Sequence, residues 1–61
     1  MKFNELFRRL EKAGCHIIRR CGKHDVWYSP ITGLTCTLGR HGANEVPPRE
    51  LKAAQKYLLG Q

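Results

Sequence analysis

The chain has 61 residues, and its eleven Lys and Arg stand against five Asp and Glu, with three histidines besides, for a formal net charge of +6. A chain this short makes one domain over residues 1–61 with one small core, burying roughly 60% of the surface its unfolded form exposes, so a deep enclosed substrate cavity is not expected. The charge favours a large polyanionic partner, nucleic acid first, held on an open face.

Phe3, Leu6, Phe7 and Leu10 recur at helical spacing, while Arg8, Arg9, Glu11 and Lys12 fill the other side. This predicts an amphipathic helix with Asn4 as its N-cap, ended by Gly14 in the left-handed conformation. Cys15 to Cys21 is rich in β-branched and long residues and reads as a strand with an ambiguous buried face. Gly22-Lys23 reads as a tight turn. His24 to Ser29 follows as a second strand, with His24, Val26 and Tyr28 on one face and Asp25 and Trp27 on the other. Tyr28, sharing a face with Val26, is expected in the core, which leaves Trp27 as the accessible aromatic.

Pro30-Ile31-Thr32-Gly33 is a turn, because proline presets φ and glycine accepts a positive value. Beyond it Leu34, Cys36 and Leu38 alternate with Thr35 and Thr37, a strand with one dry and one wet face. Gly39 to Asn44 is polar, and Pro47-Pro48 opens a last helix to about Leu59, with Leu51, Ala54 and Leu58 as its apolar stripe and Gly60 as its stop. The expected fold class is α+β, ordered α-β-β-β-α, with a three-stranded antiparallel sheet and two helices on one face.

No apolar run approaches the ~20 residues that span a bilayer. The start MKFNELFRR lacks the apolar core of a signal peptide. A cytoplasmic protein without membrane association is expected. Cys15, Cys21 and Cys36 are odd in number and lie in apolar surroundings, so they read as small reduced hydrophobes. Their spacing to the histidines contains no C-x-x-C knuckle, so neither a metal nor another cofactor is expected.

Four stretches in order carry a family resemblance. They are ELFRRLEKAG (Glu5 to Gly14), Gly22-Lys23-His24 followed by Trp27, TGLTCTLGRH (Thr32 to His41), and Glu45-Val46-Pro47 leading to Leu51. Together they resemble the HicA toxins of bacterial type II toxin–antitoxin systems, over nearly the whole chain. The resemblance implies a double-stranded-RNA-binding-domain-like fold, cleavage of messenger RNA centred on one histidine, and neutralisation by a HicB-type antitoxin. Any DNA contact would come only indirectly, through the antitoxin complex. The chain departs from the family pattern at three places: Lys23 stands where serine is usual, Gly39 replaces a proline, and Arg49-Glu50-Leu51 replaces glycine-threonine-leucine.

Cutting RNA without a metal needs a group to take the ribose 2′-hydroxyl proton, one to protonate the leaving 5′-oxygen, and cations to stabilise the charge between them. Imidazole suits the proton transfers, with an unperturbed pKa of ~6.5, and guanidinium or ammonium groups suit the charge. Taken alone, His24 reads as a solvated hairpin histidine. The resemblance makes it the catalytic candidate. Arg19, Arg20, Lys23 and Arg40 are the phosphate-binding candidates, although adjacent Arg19 and Arg20 must point to opposite sides of a strand. His41 reads as a phosphate contact or a second proton carrier, and Trp27 as a base-stacking platform or part of the antitoxin interface. His16 reads as an ordinary strand residue. The alternative reading is a small basic RNA-binding module without catalysis.

Overall fold

The computed structural model describes residues 1–40 and 42–61. Its elements run α1 (Phe3–Lys12), β1 (His16–Cys21), β2 (His24–Tyr28), β3 (Thr35–Gly39) and α2 (Pro48–Leu58), the expected α-β-β-β-α order of an α+β fold. α1 buries Phe3, Leu6 and Leu10. It begins one residue before the expected cap: Lys2 is the N-cap and no side chain caps the helix. The first amides are satisfied from elsewhere in the chain, Phe3 donating to the Asn44 carbonyl and Asn4 to that of Gly42, both at 3.0 Å. A helix whose orphan N–H groups meet backbone carbonyls has no need of an Asn cap. At the other end Gly14 takes φ +93, its N–H bonding Glu11 and that of Cys15 bonding Leu10. These are the two bonds of a Schellman motif.

The sheet order is β1-β2-β3, antiparallel throughout. β2 pairs with β3 in unbroken register, from His24 opposite Gly39 to Tyr28 opposite Thr35. β1 carries a bulge: Ile17 faces Trp27, yet the next pair is Arg19 with Val26, leaving Ile18 as the extra residue. An inserted residue reverses the in–out phase of all that follows it. Thus Arg19 and Cys21 share the face of His24, Val26 and Tyr28, while Arg20 sits opposite Asp25.

The covered face carries Asp25, Trp27, Cys36 and Leu38, and here the expectations for the aromatics are corrected. Trp27 is only 4% exposed and belongs to the core with Phe3, Leu6, Leu10, Cys15, Leu38, Val46, Ala54 and Leu58. Tyr28 and Val26 are half-buried on the other face. The larger ring fills the space under the helices, and Phe7 of α1 stacks on it at a centroid distance of 5.5 Å. Leu34 is likewise not in the dry row. It is 48% exposed and precedes β3, beside exposed Ile31 of the turn. Cys21 is exposed, contrary to its expected apolar surroundings, because the bulge turns it to the open face; all three thiols are free.

α2 starts with Pro48 in its first turn after Pro47, as proline's fixed φ favours, and packs on β3. Its end is tied down by side chains of the β2–β3 connection. The fully buried Ser29 hydroxyl donates to the Leu58 carbonyl at 2.5 Å, and Thr32 donates to that of Tyr57 at 2.5 Å. Near the chain start, Lys2 bridges to Glu45, closing the 42–46 segment over α1.

Candidate functional site

The β1–β2 turn is the structural origin of the site. Gly22 takes φ +57, the positive value that a two-residue type II′ hairpin turn requires at its first central position, and Lys23 occupies the second. His24 is therefore the first residue of β2, with Cys21 opposite it on β1 and Gly39 opposite it on β3. Gly39 adds no side chain to that pair and is itself buried. His24 is exposed and held by a strand on each side.

Around it the open face presents Arg19, Cys21, Val26 and Tyr28, then Thr37 and Thr35 of β3. Lys23 is exposed in the turn beside it. The structure thus selects between the paired arginines: Arg19 shares the His24 face and Arg20 does not. His16 lies at the far end of the same face, where its ring meets Tyr28 at 5.6 Å. A cationic, hydrogen-bonding surface with exposed imidazoles, His24 at the turn end and His16 at the far end, can hold a phosphodiester and exchange a proton with it.

Arg40, expected as a phosphate ligand, already has partners within the fold. Its Nε lies 3.3 Å from Oδ1 of Asp25, whose side chain is 4% exposed, and its guanidinium donates to the Gly22 carbonyl. Its backbone N–H also donates to Lys23 at 3.0 Å. Arg40 therefore fastens the end of β3 to the turn that carries His24. The buried Asp25 carboxylate supplies the counter-charge that holds this arginine, whose side chain stays 42% exposed.

Trp27 is removed from the expected interface, since a ring buried under α1 has no face left for a base to stack on. His41 lies outside the described residues. Among the described residues no group of three or more His, Cys, Asp or Glu side chains could hold a metal ion. No described helix is long and apolar enough to cross a membrane. The partnership of Asp25 and Arg40 escaped the sequence reading. Its one local signal was Asp25 sharing a strand face with Trp27, which makes a buried acid in need of a cation.

Compared with known protein families, the chain matches the one described as the HicA toxin of bacterial toxin-antitoxin systems, over residues 3–58. The chain belongs to the HicA toxin family. The match runs from the first residue of α1 to the last of α2, so every element of the fold lies within it. Comparisons with curated proteins and with solved structures give no match. As a HicA toxin, the protein is one half of a toxin–antitoxin pair, and an antitoxin partner follows from membership. The resemblance in the four sequence stretches and the family match agree on the same span.

Proposed function

We propose that this HicA-family toxin is an endoribonuclease that cuts messenger RNA without a metal, with His24 as its principal proton-transfer group. The observation that carries the reading is the placement of His24: an exposed imidazole fixed at a strand start, with Arg19 on the same face and Lys23 exposed in the turn before it. The neutral imidazole takes the proton of a ribose 2′-hydroxyl, and the 2′-oxygen bonds to the adjacent phosphorus. The bond from phosphorus to the 5′-oxygen breaks, giving a 2′,3′-cyclic phosphate and, once that oxygen is protonated, a 5′-hydroxyl end. Arg19 and Lys23 neutralise the charge that accumulates on the phosphoryl oxygens. Arg40 supports the turn rather than the substrate.

A basic open face with an accessible imidazole is readily blocked by an acidic partner, and electrostatic attraction speeds such capture. A HicB-type antitoxin laid over the His24 face fits this requirement.

The deciding experiment compares the purified protein with His24→Ala on single-stranded RNA in the presence of a chelator. Cleavage by the first, with cyclic-phosphate ends, and a loss of at least about 100-fold in the variant are expected. Equal cleavage by both removes the mechanism. Binding by both without cleavage favours an RNA-binding module that uses the same face.

A further inference from the structure

The open face of the sheet carries more than the histidine at its turn. Because β2 lies between β1 and β3, its alternate residues His24, Val26 and Tyr28 mark three rows across that face, with Arg19 in the middle row and His16 in the last. The last row therefore holds two rings. His16 is exposed, Tyr28 is half-buried, and their centroids lie 5.6 Å apart with the ring planes at 55°. Rings set at that angle meet edge against face instead of covering one another, so the pair keeps ring surface toward solvent. A cross-strand ring pair also supports the ladder it belongs to. What sets this one apart is its neighbourhood, since a cation stands in the row between it and His24.

We propose that Tyr28 and His16 form a stacking platform for an unpaired base of the RNA, on a nucleotide that flanks the cut. Trp27, the stacking candidate by sequence, is buried under α1; Tyr28 is the aromatic that shares the His24 face. Tyr28 stands about 13 Å along β2 from His24 at the usual rise per residue. That separation is too long for one phosphodiester linkage to touch both, and it suits ring and imidazole engaging different nucleotides of one strand. Arg19, between them, meets an intervening phosphate. A sheet whose exposed aromatics stack splayed bases is a recurring way to hold single-stranded RNA. Every base offers a π face, so the platform adds affinity without selecting one base. The inference rests on RNA being the ligand of the His24 face, and it assigns that RNA an unpaired flank.

Fluorescence anisotropy of a labelled single-stranded RNA oligonucleotide measures the contribution, with His24→Ala as the reference protein so that the RNA stays intact, and Tyr28→Leu or Tyr28→Phe added to it. Leucine keeps much of the side-chain volume and removes the ring. Affinity for the RNA should fall about tenfold with leucine, the scale of one lost stacking contact, and stay unchanged with phenylalanine. Affinity for inorganic polyphosphate, which carries the charge without bases, should be the same in all three proteins. An RNA affinity that Tyr28→Leu leaves unchanged overturns the platform. So does an equal loss for polyphosphate, which would mark a disturbance of the whole basic face. Should Tyr28→Leu not fold, His16→Ala, on the exposed partner ring, takes its place with the same expectation. RNA cleavage by the unaltered protein, together with binding indifferent to both rings, keeps the His24 reading and removes the platform; ring-dependent binding in a protein that cuts no RNA does the reverse. Failure to bind RNA removes both.

Discussion

Arg40 reaches back from the end of β3 to set its Nε 3.3 Å from the buried Asp25 carboxylate, and its guanidinium also meets the Gly22 carbonyl in the turn before His24. One side chain thereby couples three parts of the chain. Removing it leaves an acid with little solvent and no counter-ion.

Arg40→Ala is accordingly expected to destabilise the fold by about 1–3 kcal/mol, the cost of stranding a buried polar group. Adding Asp25→Asn should return a large part of that loss, because the variant then buries no charge. Urea denaturation of the two single variants and the double variant measures the coupling. Strictly additive effects would show that the pair contributes nothing.

The positions of Trp27 and Tyr28 predict opposite sensitivities for neighbouring aromatics. Trp27→Ala opens the core beneath α1 and should cost about 3–5 kcal/mol, comparable to the whole stability of so small a domain. Tyr28→Ala, on the half-open face, should cost about 1–2 kcal/mol and leave a folded protein. Thermal unfolding followed by circular dichroism distinguishes them, and the reverse order would contradict the burial of Trp27.

The three thiols should react in a set order. Cys21 is exposed, Cys15 is buried, and Cys36 is half-buried, with burial and then the nearby Glu50 carboxylate pushing its thiol pKa up. A raised pKa leaves less thiolate near neutral pH. Brief treatment with iodoacetamide at pH 8, read by mass spectrometry, should label Cys21 first, Cys36 more slowly, and Cys15 only in denaturant. Early labelling of Cys15 would show that the α1–β1 corner opens.

Glu45 gives the fold a pH-dependent clasp. The Met1 amine donates to its carboxylate at 2.8 Å and Lys2 approaches at 3.4 Å, and these two hydrogen-bonding partners hold its pKa below the usual carboxylate value. A pKa lower in the folded than in the unfolded chain means a contribution that is full above about pH 4.3 and lost as pH falls through the folded value. The unfolding midpoint of Glu45→Gln should therefore lie below that of the unaltered protein at pH 7. The gap should close on acidification, and one that persists at pH 2 would place its origin elsewhere.

Much of the fold was legible because its signals are local. The Phe3, Leu6, Phe7 and Leu10 spacing, Gly14, the Gly22 turn and the alternating Thr35 to Leu38 run each mark structure by the conformations those residues permit. The assignment of His24 to an exposed strand start after that turn rests on the same kind of signal. Less legible was which strand face is covered. His24, Val26 and Tyr28 alternate with Asp25 and Trp27, and each set contains an aromatic, so strand periodicity separates the faces without saying which meets the helices.

The sequence by itself determined the order of elements, the basic charge, the family motifs and the location of the histidine, all of which depend on residue type and short-range spacing. Tertiary structure decided the rest. The bulge at Ile18 sent Arg19 rather than Arg20 to the His24 face, since one unpaired residue inverts the phase of a strand. Packing of Phe7 on Trp27 drew the indole into the core. The buried Asp25 carboxylate then took Arg40 as its partner, because a charge removed from water is stabilised by the nearest opposite charge, and that neighbour is set by the folded chain.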